Sequence, residues 1–401
     1  MPILKSRTHA VVLPWFGASL IAVCGAADAQ HPRLRPIDPA AMRDTVERLA
    51  KGMLVPGAAV IVRTPKGDFR VAYGVTAYRG KVPTSLEQHV RVGSNTKTWT
   101  STVILQLVQE GKLQLDDPVS KYRPDVPNGA RITIERLLTM RSGLYNYSQS
   151  LELNRTMDTQ PAKVWTPEQL LALSFKHPPV FAPGAKFGYS NTNTVLLGLI
   201  AEKVEGKPLG DIMRERLFVP VGLAHTVFPA ITSTALPEPF TRGYMYGNNV
   251  LTMDSPALPD SMQVAARAGT LAPVEWTDAN TSWTWAAGMG ISTANDLVGW
   301  VQALVSGKLL NADVQRRRLA SVQPTDPKDP NSASYGWGIA KFGNLYGHTG
   351  EMPGYNAFMG HDPVNDVTVV VWTNLAPAID GRDPATTIAR SLIGMIYAPT
   401  K

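Results

Sequence analysis

The stretch "GSNTKTWTSTVILQLVQEGK" (93–112) places a hydroxyl and an amine three residues apart where a predicted apolar helix begins. Ser94 and Lys97 lie one helical turn apart, so both side chains project from the same face. A helix N-terminus offers free N–H groups and the positive end of the helix dipole, which favour the charge that develops when an oxygen attacks a carbonyl. Apolar surroundings would lower the pKa of Lys97 and let its amine act as a base toward Ser94. Taken alone, the stretch is equally compatible with a capping serine and a lysine that reaches solvent.

A second candidate group lies in "GYSNTN", just before another predicted helix. Tyr189 and Asn191 are two residues apart on a loop, which can point a phenol and an amide the same way, as a proton carrier and a hydrogen-bonding clamp. Tyr246 and Asn248 repeat this spacing in a polar loop without clear periodicity, so the first pair is the better candidate. A simple capping role for Asn191 is the alternative.

A third candidate group lies in "YGHTGEMPGYNAF", where His348, Thr349 and Gly350 end a short predicted strand. Glycine lets another backbone approach closely, and histidine can carry a proton near neutral pH. The alternative interpretation is an isolated surface histidine in a turn, which would produce the same sequence pattern. The triplet therefore indicates a functional site only in combination with the other two candidate groups.

The order of these groups is informative: Ser-x-x-Lys on a helix, Tyr-x-Asn on a loop and His-x-Gly on a strand. Together with "LLTMRSGLYNY", "SFKH" and "APGAKFGYSNTN", this order resembles the penicillin-recognising serine hydrolases, which include class C β-lactamases, DD-peptidases and related esterases. The likeness extends from about Val90 to Asn374. Within the family the chain is most similar to a secreted D-alanyl-D-alanine carboxypeptidase/transpeptidase with a His-Thr-Gly third motif. The resemblance implies a β-lactamase/transpeptidase-like α+β fold and hydrolysis through an acyl-enzyme.

The resemblance also implies catalytic roles. Ser94 would be the acylated nucleophile and Lys97 its activating neighbour. Tyr189 would pass protons to the leaving group and later prime water. The backbone N–H groups of Ser94 and Glu351 would form the oxyanion hole.

Substrate-binding positions follow from the same resemblance. Asn191 would hold the substrate amide, and Trp283 falls where the family has an aromatic wall. His348 and Thr349 would line the cleft. No metal or other cofactor is implied, since there is no His-Glu-x-x-His motif and the seven histidines are scattered. The expected partner is a small-molecule or peptide substrate (a D-Ala-D-Ala-type peptide, a β-lactam or an ester), with peptidoglycan as a further candidate.

Two positions depart from the carboxypeptidase pattern. Ala340 stands where the family member has an arginine that grips the substrate's terminal carboxylate, and the neighbouring Lys341 should point to the opposite face of its strand. Glu351 replaces a hydroxyl after His-Thr-Gly and would repel a carboxylate-ended peptide. An esterase or D-amino-acid amidase of the same fold is therefore an alternative. From a different class, a non-catalytic sensor or scaffold that binds peptidoglycan or β-lactams is another.

Histidine in place of lysine in the third motif also affects the expected mechanism. An imidazole is charged over only part of the pH range, so we expect the base to be shared by Tyr189 and Lys97. Activity should then depend on the ionisation of these two groups and of His348.

Helix and strand signals predict how these groups are positioned. A helix from Asp38 to about Gly52 and a hairpin that turns at 65–68 precede the serine helix, and short β-rich runs followed by a last helix close the chain. Strands near both ends with helices between predict one antiparallel sheet built from the two termini and flanked by terminal helices. We predict a sheet domain formed by 30–125 and 286–401, a mainly helical insert at 126–285, and an active site in the cleft between them.

Capping signals predict where several other helices begin and end. Thr133 precedes "IERLLTM", and Thr166 opens a capping box before "LLALSF". Gly206 should end the helix that follows Asn191, and Ser292 is the predicted cap of "TANDLVGWVQALVSG".

Residues 1–29 have the three-part pattern of a secretory signal peptide. Lys5 and Arg7 precede an apolar run at 10–26, and small residues come before Gln30. The apolar run is short for a bilayer span, and no later stretch is long and apolar enough to cross a membrane. We therefore expect an exported protein, periplasmic or secreted, without a transmembrane segment after the leader.

The composition fits a folded chain with a substantial core: of 401 residues, 44% are hydrophobic and 18% charged. The only cysteine, Cys24, lies in the leader, so the mature chain has no disulfide or thiol nucleophile. Acylation of Cys24 as a lipoprotein is not favoured, because the preceding Val23 is bulky for such a signal. Loss of the leader changes the net charge from +7 to +6, two positive charges and one negative charge being removed. No interleaving of basic and aromatic residues suggests nucleic acid as a partner.

Overall fold

The computed structural model describes residues 33–329 and 332–398, so the predicted signal peptide with Cys24 lies outside the described residues. The α-helices are α1 (Pro39–Gly52), α2 (Thr96–Gln109), α3 (Ile134–Leu138), α4 (Leu151–Thr159), α5 (Pro167–Phe175), α6 (Asn191–Glu205), α7 (Leu209–Met213), α8 (Val219–Val221), α9 (Asp260–Arg267), α10 (Ala294–Ser306), α11 (Ala312–Ala320) and α12 (Pro384–Ile396). The strands are β1 (Gly57–Thr64), β2 (Gly67–Gly74), β3 (Val90–Arg91), β4 (Tyr244–Met245), β5 (Val274–Glu275), β6 (Ile291–Ser292), β7 (Gln323–Pro324), β8 (Ser334–Tyr335), β9 (Ala340–Phe342), β10 (Leu345–Met352), β11 (Tyr355–Asp362) and β12 (Val367–Thr373).

The main sheet joins strands from both ends of the described chain. Its order is β2-β1-β12-β11-β10-β9-β8-β7, with antiparallel pairing throughout. Val60 of β1 lies opposite Val371 of β12, so the first strand pairs directly with the last. The hairpin between β1 and β2 closes with Thr64 opposite Gly67, within the predicted turn. The antiparallel sheet predicted from the two termini is confirmed.

Successive side chains of a strand point to opposite faces of the sheet, and in the central strands the side chains on both faces are mostly apolar. Helices therefore cover the sheet on both faces. Ile61 and Trp372 belong to the core on the side of α2 and α10. Val60 and Val371 belong to a second core, under α1 and α12. Every residue of β12 is buried, which explains why "VTVVVWT" reads as a continuous apolar run rather than an alternating one.

The capping signals were mostly accurate. Thr133 accepts a hydrogen bond from the backbone at the start of α3, and Thr166 forms a complete capping box at the start of α5. Gly206 ends α6 in the left-handed conformation. The cap predicted at Ser292 is wrong by one residue: Ser292 ends β6, and the hydroxyl of Thr293 accepts from the Asp296 backbone.

The predominantly helical segment between α2 and β6 carries α3 to α9 and a small two-stranded antiparallel sheet of β4 and β5, with α9 between the two strands in the chain. It shares a core with the sheet side rather than having a separate one. The ring of Trp99 on α2 meets Phe218 at 5.0 Å and Trp300 of α10 at 6.3 Å, both edge-on. Among the described residues, no helix has both the length and the apolar character that a bilayer crossing requires.

Candidate active site

Ser94 lies in a 3₁₀ turn, Gly93–Asn95, that leads directly into α2. Gly93 has φ +53°, a conformation that favours glycine. Lys97, in the first turn of α2, is fully buried. Its Nζ lies 2.9 Å from Ser94 Oγ and donates a 2.8 Å hydrogen bond to the Ala287 carbonyl. The spacing in the sequence thus brings hydroxyl and amine into direct contact.

Burial lowers the pKa of Lys97 well below its usual value of 10.5, because the protein interior disfavours the charged form. Among the residues that the structure describes, no carboxylate forms an ion pair with this amine. Nζ also lies 4.8 Å from the centre of the Tyr189 ring. This ring contact is attractive for an ammonium group, but full burial without a carboxylate partner outweighs it and favours an uncharged amine, which can accept the proton of Ser94.

Tyr189 immediately precedes Ser190, the N-cap of α6, and its phenol reaches Ser94. Although 38% of Tyr189 remains exposed along the cleft, burial raises its pKa, and the interaction with Ser94 offsets only part of that rise. The phenol is therefore protonated at neutral pH. Such a group suits the donation of a proton better than its removal.

His348 on β10 is held by two contacts that define its ring. Its Nδ1 lies 2.5 Å from the Thr349 carbonyl and its Nε2 lies 3.1 Å from the hydroxyl of Tyr335. A carbonyl can only accept, so Nδ1 carries the hydrogen and Nε2 accepts from Tyr335. Burial, helped by the nearby Lys97, lowers the pKa of His348 to about 3. The expectation of an imidazole that titrates near neutral pH is therefore wrong: His348 is a neutral group here.

The backbone of β10 touches the turn that carries Ser94. A Cβ on Gly93 would lie 2.8 Å from the Glu351 nitrogen, and a Cβ on Gly350 would lie 1.9 Å from the Val92 carbonyl oxygen. Only glycine permits this approach. The backbone nitrogens of Ser94 and Glu351 are therefore neighbours, as an oxyanion hole requires.

A cleft of about 370 Å³ opens over these groups. Six of the seven residues with predicted side-chain roles line it, and the seventh, Lys97, is buried and does not. Trp283 lines it as a partly buried ring, and Thr349 does so as well. Asn191 donates through Nδ2 to Ser148 Oγ at 3.2 Å, whereas its buried Oδ1 has no hydrogen-bond partner among the described residues. That carbonyl oxygen is therefore an acceptor that the described protein groups leave unpaired. A larger cavity of about 600 Å³, lined in part by Trp285, contains none of the predicted site residues.

The alternative Tyr-x-Asn pair lies outside the cleft. Tyr246 is buried in the core under α1 and α12, and Asn248 accepts a local hydrogen bond from the Leu251 backbone. The preference for Tyr189 and Asn191 agrees with this placement.

The cleft wall carries negative but no permanent positive charge. Among the described residues that line it, Glu351 and Asp383 are acidic and none is lysine or arginine. Ala340 is buried, and the Lys341 amine lies over the ring of Tyr346, 5.0 Å from its centre. Nothing therefore replaces the carboxylate-gripping arginine at this position. In the described ranges, no group of three His, Cys, Asp or Glu side chains could hold a metal ion.

Sequence reasoning missed three members of the site. Tyr335 belongs to one of the predicted β-rich runs, where no pattern marks it as a site residue. Ala287 acts through its carbonyl, which leaves no signal in residue type. Asp383 precedes a proline at a helix start, a spelling identical to Asp38 with Pro39. That signal identified a helix N-terminus but not a residue of the cleft.

The chain belongs to the Beta-lactamase family, whose model matches residues 42–392. "Putative penicillin-binding protein PbpX" of Bacillus subtilis (strain 168) is 27% identical over 80% of this chain and 70% of its own length. "Putative D-alanyl-D-alanine carboxypeptidase" of Escherichia coli (strain K12) is 27% identical over 89% of each chain. The crystal structure of a D-stereospecific amidohydrolase from Streptomyces sp. is 29% identical, with a TM-score of 0.74, and the match covers 88% of this chain and 98% of that one. The family and the fold predicted from the motifs are confirmed, and the protein is a serine hydrolase of this class.

Proposed function

We propose that the protein hydrolyses an amide or ester through an acyl-enzyme on Ser94. One observation carries the proposal: a buried amine without a carboxylate partner, that of Lys97, lies 2.9 Å from Ser94 Oγ at the floor of an open cleft. Binding alone would not need such an amine, since a buried lysine without a counter-charge is costly to maintain.

In the proposed acylation step, the Ser94 proton passes to Lys97 Nζ while Oγ bonds to the substrate carbonyl carbon. The backbone N–H groups of Ser94 and Glu351 stabilise the negative oxygen of the tetrahedral intermediate. Tyr189 then donates its proton to the leaving nitrogen or oxygen as that bond breaks, and recovers one from Lys97. Water, deprotonated by the same pair, releases the acyl group and restores Ser94.

Among amides, we favour a D-amino-acyl amide over the C-terminal peptide of a carboxypeptidase substrate. The Streptomyces relative is named for D-stereospecific amide hydrolysis. The described cleft lining has no lysine or arginine to pair with a terminal carboxylate, and the negative charge of the acidic pair Glu351 and Asp383 would repel one. D-Alanyl-D-alanine carboxypeptidase activity is the second candidate, favoured by the name of the Escherichia coli relative, and peptidoglycan would then be the partner.

We further propose that the protein is exported and cleaved before Gln30. The signal pattern of residues 1–29 supports this. Mass spectrometry of protein recovered from outside the cytoplasm should give a chain that begins at Gln30. A chain that retains Met1 would contradict export by this route.

The acyl-enzyme can be tested by weighing the intact protein after incubation with a penicillin and with an activated D-amino-acyl ester. We expect a covalent adduct that maps to Ser94 and that Ser94→Ala abolishes. Ser148→Ala, which removes another hydroxyl from the same cleft wall, should still form it.

The fate of the adduct separates the functional classes. An adduct that turns over supports a hydrolase, and a long-lived one indicates a slowly deacylating binder. If neither reagent labels Ser94, the hydrolase proposal fails and a non-catalytic sensor or scaffold becomes the better interpretation. Comparing a D-Ala-D-Ala peptide with a D-amino-acid amide then decides between the two candidate substrates.

A further inference from the structure

Two helices of this protein begin with Asp-Pro, but the two aspartates behave differently. Asp38 caps α1 in the usual way, accepting a 3.0 Å hydrogen bond from the Ala41 nitrogen. Asp383, at the same position of α12, makes no capping hydrogen bond with its side chain. Asn356 of β11 performs that function instead, accepting from the Ala385 nitrogen at 2.8 Å. The Asp383 carboxyl is therefore free of the helix that it precedes.

The released carboxyl of Asp383 lies in the catalytic cleft, hydrogen-bonded to the carboxyl of Glu351. Glu351 keeps contact with solvent along the cleft, yet burial of its carboxyl end and the charge of Asp383 raise its pKa to about 8. Burial also raises the pKa of Asp383. Two carboxyls this close share a proton and retain roughly one negative charge at neutral pH.

The described part of the chain supplies no cation that neutralises this pair. Within residues 33–329 and 332–398, neither Glu351 nor Asp383 forms an ion pair with lysine, arginine or histidine. Arg382, next in the chain, is committed to Asp380, to which it donates from Nε at 3.0 Å and from Nη2 at 2.7 Å. A negative charge is thus kept without a counter-charge in the one cleft that contains the nucleophile.

We infer that Glu351 and Asp383 form a subsite for a protonated amine of the substrate. The inference rests on the proposed function and gives its substrate a chemical feature: a free ammonium group near the bond that is cleaved. Glu351 offers its backbone N–H to the reacting carbonyl and its side chain to the subsite, so the amine must lie within a few bonds of that carbonyl. An α-amine meets this requirement. Charge-assisted hydrogen bonds to both carboxyls would hold it, and each carboxyl would then be ionised.

Matched chromogenic amides can test the subsite without changing the bond that is cleaved. The substrates are D-alanine p-nitroanilide and N-acetyl-D-alanine p-nitroanilide, which differ only in the charge and bulk at nitrogen. We expect kcat/KM of the parent protein to favour the free amine by about tenfold or more, the value of a hydrogen bond to a charged group. The preference should fall toward unity in Asp383→Asn and in the double variant Glu351→Gln/Asp383→Asn, chiefly through KM.

Asp313→Asn is the matched control, because it removes one carboxylate from α11 on the surface, outside the cleft. It should keep the full preference for the free amine. Thermal unfolding followed by circular dichroism checks that each variant is folded. Should the double variant not fold, calorimetric binding of D-alaninamide against N-acetyl-D-alaninamide, to Ser94→Ala and to Ser94→Ala/Asp383→Asn, measures the same preference without turnover.

The possible results distinguish failure of the ammonium subsite from failure of the acyl-enzyme proposal. Equal or faster hydrolysis of the acetylated substrate overturns the ammonium subsite and leaves the acyl-enzyme intact. A preference for the free amine that survives in the double variant also overturns it, since the pair would then be only structural. Failure to hydrolyse either substrate, together with no Ser94 adduct, overturns both.

Discussion

Among single residues, Lys97 has the largest effect on the chemistry, because its environment rather than its identity makes it a base. Lys97→Met keeps the length of the side chain and removes the amine. We expect the second-order rate of acylation by an activated ester to fall by about 10²- to 10⁴-fold, the range that a general base supplies. Since burial lowers the pKa of Lys97, acylation by the parent protein should rise with pH through that lowered value rather than only near 10.5.

A surface lysine provides the control for this variant. Lys66 lies exposed in the turn between β1 and β2, and Lys66→Met should acylate at the parental rate. A Lys97→Met protein that acylates within about twofold of the parent would show that another group removes the proton of Ser94.

His348, which the sequence marks as a residue of the active site, also leads to a prediction about the pH dependence of the free energy of unfolding. Its folded-state pKa is about 3 against 6.5 in its ordinary state, so between these values the unfolded chain binds a proton that the folded protein does not. The resulting contribution to the free energy of unfolding is fully present above about pH 6.5 and is lost as pH falls toward 3. His348→Gln can keep both hydrogen bonds, to the Thr349 carbonyl and from Tyr335, without this proton. Urea unfolding of the variant should therefore lose less stability between pH 6.5 and pH 4 than that of the parent.

The pH–rate profile of His348→Gln tests whether the imidazole titrates during the reaction. Because His348 stays neutral, the acid limb of the acylation rate should keep its midpoint in His348→Gln, even if the rate itself changes. A shift of that midpoint by about half a unit or more would mean that the imidazole titrates in the reaction after all.

At the scale of elements, the contact between β10 and the turn before α2 determines the oxyanion hole. Gly350→Ala would place a Cβ 1.9 Å from the Val92 carbonyl oxygen and 2.8 Å from Asn95 Nδ2, so β10 must move away from Ser94. We expect kcat to fall about 100-fold with an adduct still detectable, since loss or misplacement of one oxyanion donor has that effect.

Gly394→Ala is the natural comparison, because it is the same substitution in α12 with no atom within 4 Å of the new methyl. It should leave kcat unchanged and raise the free energy of unfolding by about 0.5–1 kcal/mol, as alanine does for glycine in a helix. If both variants lose activity alike, the β10 contact is not the reason for the loss at Gly350.

The elements also show what could be predicted from the sequence and what could not. The capping box at Thr166 and the meeting of Ser94 with Lys97 depend on contacts within one or two turns, and such contacts are encoded in spacing. The role of Tyr335 depends on which strand lies beside β10, and that of Asp383 on whether Asn356 takes over its cap. Both roles depend on tertiary contacts, which residue spacing along the chain does not encode. Spacing likewise could not reveal the neutral state of His348, because desolvation, and not the neighbouring letters, lowers its pKa.

At the scale of the whole molecule, the predicted sheet domain and the predicted insert share one core, that on the side of α2 and α10. Helices α3 to α9 lie within 126–285, and the division of the chain into a sheet domain and a helical insert at this range stays a prediction. Yet the ring of Phe218 from that segment packs edge-on against Trp99 of the nucleophile-bearing helix, which packs in turn against Trp300 of α10. The cleft is therefore formed by two regions that stabilise each other, which fixes the distances between groups from both.

We therefore predict that the chain unfolds in a single cooperative transition, although a protein of this size with an insert could unfold in two steps. Scanning calorimetry should give one endotherm whose calorimetric and van't Hoff enthalpies agree, and acylation activity should disappear with it. Trp99→Ala, which removes the ring shared by both regions, should lower the melting temperature without dividing the transition, at a cost of about 3–5 kcal/mol. Two resolved endotherms, or a fragment comprising 126–285 that folds by itself, would show that the insert is an independent domain and that the cleft lies at a movable interface.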